Sequence, residues 1–191
     1  MADLETLEGP YDILYADPPW HYNGTQIRGC NSGNATNHYN TLHFEQLKSL
    51  SEDIQRISNA NSLLFLWTTG PKLDEALQLG SAWGFEYRQV AFVWHKQRTV
   101  YGHYTLTSCE YVLLFKRKGG KIPKPRGSRK EKQFLEEPVR EHSRKPDEIR
   151  KRITCMFPEQ RKVELFGRCC VQGWDTWGDQ VDLFSEVEEV D

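Results

Sequence analysis

No apolar run in this 191-residue chain approaches the ~20 residues that a membrane helix needs, so no spanning helix is expected. The opening Met-Ala-Asp-Leu-Glu is acidic and lacks the basic start and apolar stretch of a secretory leader. Cysteine is sparse and poorly spaced for crosslinking. The five residues, Cys30, Cys109, Cys155, Cys169 and Cys170, form an odd set without a C-x-x-C pair. That argues against a disulfide framework and a structural zinc site, and it suits a reducing, cytoplasmic setting. The six histidines, at positions 21, 38, 43, 95, 103 and 142, share no ligand spacing on one expected element, so no metal is expected.

A large charge imbalance is also missing, since the net charge is −2. Local imbalance is present instead. From Lys116 to Lys132 there are nine Lys or Arg against the single acid Glu131, whereas Asp182 to Asp191 holds five acids and no base. A basic run is either a solvated face or a track for a phosphate backbone. Its candidate nucleic-acid-binding residues are Lys116, Arg117, Lys118, Lys121, Lys124, Arg126, Arg129 and Lys130. With 38% hydrophobic, 12% aromatic and 27% charged residues, the composition is that of a soluble globular chain of one domain.

Tyr11–Ala16 is a short apolar run closed by Asp-Pro-Pro, which predicts a buried strand ending in a rigid turn. Residues 21–40 are polar and predict a long loop, in which Tyr22, Asn23, His38 and Tyr39 are placed either to gate a pocket or simply to move. Helical spacing runs from Phe44 to about Ile57, and Ser62–Thr68 predicts a second strand, apolar on both faces as in a covered parallel sheet. Pro71 opens a helix with Leu73, Ala76, Leu77 and Trp83 expected inside and Gly84 as its stop. Arg88–Trp94 and Glu110–Phe115 predict two more strands. Residues 116–142 read as a basic exposed loop, Pro146 as the start of a helix carrying Ile149, Ile153 and Met156, and Lys162–Gly167 as a strand with a glycine turn. Alternating strands and helices imply an α/β fold with a mostly parallel sheet. Ligands in such sheets bind beyond the carboxyl ends of the strands.

Two strand ends then carry the chemistry, after Ala16 and after Phe166. An exocyclic amine on adenine is a poor nucleophile because its lone pair is delocalised into the ring. Acceptors for both amine hydrogens localise that pair. In Asp17-Pro18-Pro19-Trp20, Asp17 offers a carboxylate and Pro18 a carbonyl, held rigidly because proline fixes its own backbone and restricts the residue before it. Trp20 offers an aromatic face for a flipped base. An activated sulfonium donor would need no metal, and positioning would supply the catalysis. A stiff turn without chemistry is the alternative.

Asp17-Pro-Pro-Trp20, with its preceding strand, resembles the signature of amino-methyltransferases acting on adenine N6 or cytosine N4. The tetrapeptide is most similar to that of the eukaryotic N6-methyladenosine writers and their compact prokaryotic and phage relatives. Leu63–Trp67 with Thr69-Gly70, Glu110-Tyr-Val-Leu-Leu, Ser143–Glu148, Lys162–Arg168, Trp174 and Gly178–Gln180 extend the resemblance over about residues 10–184, leaving 185–191 as an acidic tail. It implies a Rossmann-like methyltransferase fold in permuted order, with the catalytic motif before the cofactor motif. It also implies S-adenosyl-L-methionine as cofactor and catalytic residues Asp17, Pro18, Pro19 and Trp20. Cofactor contacts are implied at Asp17, Arg168, Asp179 and Gln180. Glu164 is either a further contact or an edge-facing carboxylate, and Lys145 combines a structural with a cofactor role. The chain departs from the family at Cys109, read as replacing a lysine for the cofactor carboxylate, and at Cys170-Val171, read as replacing a His-Asn pair. The expected activity is N6-adenine methylation of nucleic acid, DNA before RNA. A homodimer or a methyltransferase-like partner subunit is compatible with it. A non-catalytic binding subunit and an N4-cytosine enzyme are the competing readings. Family subunits that lose the chemistry also lose the tetrapeptide, and cytosine enzymes more often begin it with serine.

Overall fold

The computed structural model describes residues 4–22, 41–102, 104–140 and 144–178. Asn23, His38, Tyr39, Asp179, Gln180 and the acidic tail therefore lie outside the described residues. Among the described residues seven strands build one sheet: β1 (Tyr11–Ala16), β2 (Ser58–Thr69), β3 (Phe85–Tyr101), β4 (Leu106–Arg117), β5 (Phe134–Glu136), β6 (Lys162–Leu165) and β7 (Asp175–Trp177). Their spatial order is β5-β3-β4-β2-β1-β6-β7. The pairs β1–β2, β1–β6, β6–β7 and β3–β5 are parallel, while β4 runs antiparallel to both β2 and β3. Only β4 is therefore reversed, and the carboxyl ends of the other six strands share one edge. This is an α/β architecture with a mostly parallel sheet, in line with a Rossmann-like methyltransferase fold.

Successive strand side chains point to opposite faces, so a sheet covered on both sides needs apolar residues at every position. Leu14, Ala16, Leu64, Leu66, Leu113 and Phe115 join one core, with Leu47, Ile54, Ile57 and Leu79 from the helices α1 (Phe44–Ser49), α2 (Ser51–Ile57) and α3 (Leu73–Ala82). Ile13, Tyr15, Leu63, Phe65, Trp67 and Val112 join the other, with Ile149 and Ile153 from α4 (Asp147–Met156).

The structure corrects several expectations. The helix expected over residues 44–57 breaks at Leu50, whose ψ of 0° lets both short halves bury their apolar positions. In α3 the buried stripe is Ala76, Leu79 and Gly80, continued by Trp83, while Leu73 and Leu77 are exposed. Gly80 sets that phase: a Cβ there would fall 2.3 Å from the Phe115 ring, so only a glycine lets the helix come this close to that side chain of β4. Strands β3 and β4 run well past their expected ends. The 116–142 segment is not simply an exposed loop, because it contains β5 and buries Pro123 and Leu135.

Candidate active site

Strand β1 delivers Ala16 to the carboxyl edge, and Asp17-Pro18-Pro19-Trp20 turns immediately beyond it. The Trp20 N–H donates to the Pro18 carbonyl at 2.8 Å, and the Leu42 N–H donates to the Pro19 carbonyl at 2.9 Å. A carbonyl has two lone pairs, so the Pro18 oxygen retains acceptor capacity. Trp20 is only 6% exposed and its Nε1 donates to the Trp67 carbonyl at 3.2 Å. That corrects the expectation of an open stacking face: here the indole is part of the wall behind the turn.

Asp17 is the first member of a chain of ion pairs. Lys145 Nζ lies 3.0 Å from Asp17 Oδ2 and 3.4 Å from Glu110 Oε2, and Lys96 Nζ lies 3.2 Å from Glu110 Oε1. Burial opposes the charge on Lys145, but Asp17 and Glu110 outweigh it and hold the ammonium above its ordinary range. Burial likewise opposes ionisation of Glu110, yet Lys145 and Lys96 hold its carboxyl below the ordinary value. Lys145 is placed by its neighbours, since Arg140 donates to its carbonyl at 2.7 Å and also pairs with Asp147 at the start of α4.

The next strand end, that of β6, supplies the opposite wall. Glu164 is buried and its Oε2 lies 2.9 Å from Arg150 Nε, although neither atom has an aligned hydrogen bond among the described residues. Burial pushes the Glu164 carboxyl up to about 7; Arg150 draws it down and the nearby Asp17 charge adds to the rise. Phe166, with φ of 62°, then bends the chain sharply. Gly167 makes that bend possible, because a Cβ there would meet Thr176 Cγ2 at 2.4 Å and Glu164 Cγ at 3.2 Å.

Between these walls lies an open cleft lined by Asp17, Arg144, Lys145, Arg150, Glu164, Phe166, Arg168 and Cys169. Four cations face two carboxylates, one of them Glu164 with its raised pKa, so the cleft suits a ligand with an anionic end and hydroxyl or amine groups. The fold thus brings Asp17, Lys145, Glu164 and Arg168 together, with Pro18 buried next to Asp17 and outside the lining, while Asp179 and Gln180 lie outside the described residues. Glu110, Lys96, Arg144 and Arg150 had no assigned role in the sequence. Glu110 and Arg144 lay within stretches that carry the family resemblance, whereas Lys96 and Arg150 carried no signal.

The expected nucleic-acid track lies elsewhere. Lys116 pairs with Leu63 and Glu110 with Thr69, so the basic segment starts about 20 Å along β2 from the edge that carries Asp17. It stays at that far end. Lys121 N–H donates to Asn61 Oδ1, Gln160 donates to the Pro125 carbonyl, and Ser128 N–H donates to the Cys155 carbonyl near the end of α4. Arg117 is bound up with the Trp83 carbonyl at 3.1 Å and Arg126 stacks over Phe157. Lys116, Arg117, Lys118, Lys121, Lys124, Arg126, Arg129 and Lys130 are therefore not neighbours of Asp17. The sequence shows a charge run but not which end of the sheet it occupies.

The Asp17 carboxylate beyond β1 and the partly buried Lys145 thus stand across the cleft from Glu164 of β6 and Arg150 of α4. The family model described as MT-A70 covers residues 11–180. This chain belongs to the MT-A70 family. Among curated relatives it is 43% identical over 182 residues to the Type II methyltransferase M.MunI of a Mycoplasma species, spanning 88% of this chain and 76% of that protein. It is 28% identical to the human N(6)-adenosine-methyltransferase catalytic subunit METTL3 and 27% identical to an Arabidopsis thaliana N(6)-adenosine-methyltransferase MT-A70-like protein. Those alignments span 93% and 95% of this chain but only 29% and 25% of the relatives. The protein is accordingly an MT-A70 methyltransferase-family member. None of its described helices is long and apolar enough to cross a membrane.

Proposed function

We propose that this MT-A70 protein transfers the methyl group of S-adenosyl-L-methionine to the exocyclic N6 amine of adenine in nucleic acid, with DNA as the polymer. The observation that carries the reading is the Asp17 carboxylate in the wall of a cationic cleft, on the same turn as the Pro18 carbonyl.

The residues fit the cofactor by their donor set, since Arg144, Lys145 and Arg168 line the cleft beside the carboxylates Asp17 and Glu164. Lys145 would hold the carboxylate end, the role that Cys109 does not fill, and Arg168 and Glu164 the hydroxyl-bearing end. Asp179 and Gln180 complete the proposed set. The bound cofactor supplies a methyl group already activated by its sulfonium charge. Asp17 then has two tasks. Its Oδ2 pairs with Lys145, and the carboxylate accepts a hydrogen bond from the substrate amine. The Pro18 carbonyl accepts the other amine hydrogen through its remaining lone pair. Together they sharpen the nitrogen lone pair and stabilise the positive charge that develops on transfer. After transfer the methylated nitrogen loses one proton towards the carboxylate side or solvent.

DNA is favoured because the compact type II methyltransferase is matched over most of its length, whereas the proteins named for adenosine are matched over under a third of theirs. The test is to incubate the purified protein with labelled cofactor and single-stranded DNA, duplex DNA or RNA, then digest and identify the product. N6-methyldeoxyadenosine is expected. N4-methylcytosine, or no label in any polymer, overturns the reading, and label confined to RNA reverses the choice of polymer.

A further inference from the structure

Strands β3 and β4 continue together past the catalytic edge as a ribbon with no core beneath it. Beyond the Trp94–Glu110 pair, Val100 pairs with Thr107 and Tyr101 with Leu106. Residues 97–102 and 104–107 are all exposed, so both faces of the ribbon meet solvent. Four residues of β4 beyond Glu110 carry it about 14 Å above the edge, and two strand spacings set it about 10 Å to the side of β1. A bare two-stranded hairpin is marginally stable in water, and this one also exposes Tyr101 at 68%, Tyr104 at 100% and Leu106 at 57%. Single exposed apolar residues are ordinary, but three grouped on one unsupported tip mark a surface made for contact.

The charge indicates the partner. Lys96 at the root is matched by Glu110, and from Gln97 to Ser108 the sequence holds the cation Arg98 and no acid, in a chain whose net charge is −2. The ribbon is also mechanically tied to the site, since Lys96 at its root pairs with Glu110, which shares Lys145 with Asp17. At that root β3 has three more residues than β4 between paired positions, and Gln97 sits at φ 52°. Such bulges bend a strand and re-aim the residues beyond them. The major groove of duplex DNA, about 12 Å wide and 8.5 Å deep, admits a two-stranded ribbon.

We propose that the β3–β4 ribbon is the element that reads DNA sequence, entering the major groove beside the target adenine. Arg98 supplies donors to base edges, and Tyr101, Tyr104 and Leu106 supply apolar contact to bases and thymine methyls. This inference rests on the proposed adenine methylation. It assigns recognition to the catalytic edge, not to the basic segment at the far end of the sheet.

The test maps methylated adenines after treating unmethylated plasmid DNA with the wild-type protein, with Arg98→Ala, with Arg98→Glu, and with the double variant Tyr101→Ala/Tyr104→Ala. Cofactor affinity by calorimetry and the thermal midpoint report folding, and gel filtration reports oligomeric state. Wild type should methylate within a defined sequence. The variants should lose about 10- to 100-fold in kcat/KM on that sequence, with relaxed choice at one or more positions and unchanged cofactor affinity. Arg98→Glu should exceed Arg98→Ala. Unchanged sequence choice and kcat/KM overturn the proposal while leaving adenine methylation standing. So does conversion of a dimer to a monomer with sequence choice intact, which would make the ribbon an interface between copies. If wild type methylates no nucleic acid, the ribbon proposal and the activity fall together.

Discussion

Asp17→Asn separates catalysis from stability at a single atom. The amide keeps the shape of the side chain and replaces a charged acceptor by a neutral one. Two structural facts set the expected magnitudes. Lys145 keeps Glu110 at 3.4 Å after the change, so its ammonium is not stranded. Removing one member of a fully buried pair costs about 3–5 kcal/mol, and with a carboxylate remaining and Asp17 partly exposed the expected loss is about 1–2 kcal/mol. The rate should suffer more. Loss of one preorganised electrostatic partner lowers turnover by ~10²-fold or more, about 2.7 kcal/mol of barrier. Single-turnover transfer under saturating cofactor measures the chemical step, and urea unfolding of the same sample measures the fold. A variant within threefold of the wild-type rate would falsify the role of the Asp17 charge. A loss of rate with collapse of the urea midpoint would show that the ion pair serves structure first.

Arg168→Ala should weaken cofactor binding by about 1–3 kcal/mol in calorimetry, the scale of hydrogen bonds to a charged group, and unchanged affinity in a folded variant refutes the assignment. Glu164, with its carboxyl raised to about 7, binds a proton in the folded state that the unfolded chain has already released, so stability should decline as pH rises from about 4.5 to 7. Urea titrations across that window should show a shallower decline in Glu164→Gln, and identical slopes would remove Glu164 as the cause. Neutralising Lys124, Arg129 and Lys130 together should leave the salt dependence of DNA binding unchanged, because these residues sit away from the catalytic edge. A slope flattened by about 0.9 per charge would show instead that the duplex reaches the far end of the sheet.

The sequence alone determined the α/β class, since alternating buried runs such as Tyr11–Ala16 and Lys162–Leu165 report their own periodicity and burial. It also marked Asp17 and Pro18 as the candidate site, because the rigidity of Asp-Pro-Pro is local and needs no tertiary partner. Everything that depended on which end of the sheet a residue occupies was decided only in three dimensions. Lys145 and Glu110 are 35 positions apart in the chain, yet meet because β4 is reversed and α4 begins at the catalytic edge. The basic segment looked like a substrate track and folded to the opposite end for the same reason. Trp20, an aromatic beside the Asp17 turn, is buried because its indole finds the Trp67 carbonyl on the adjacent strand. Charge, burial and side-chain type are written residue by residue, but proximity between elements follows from strand order and direction, which are set by packing the whole chain.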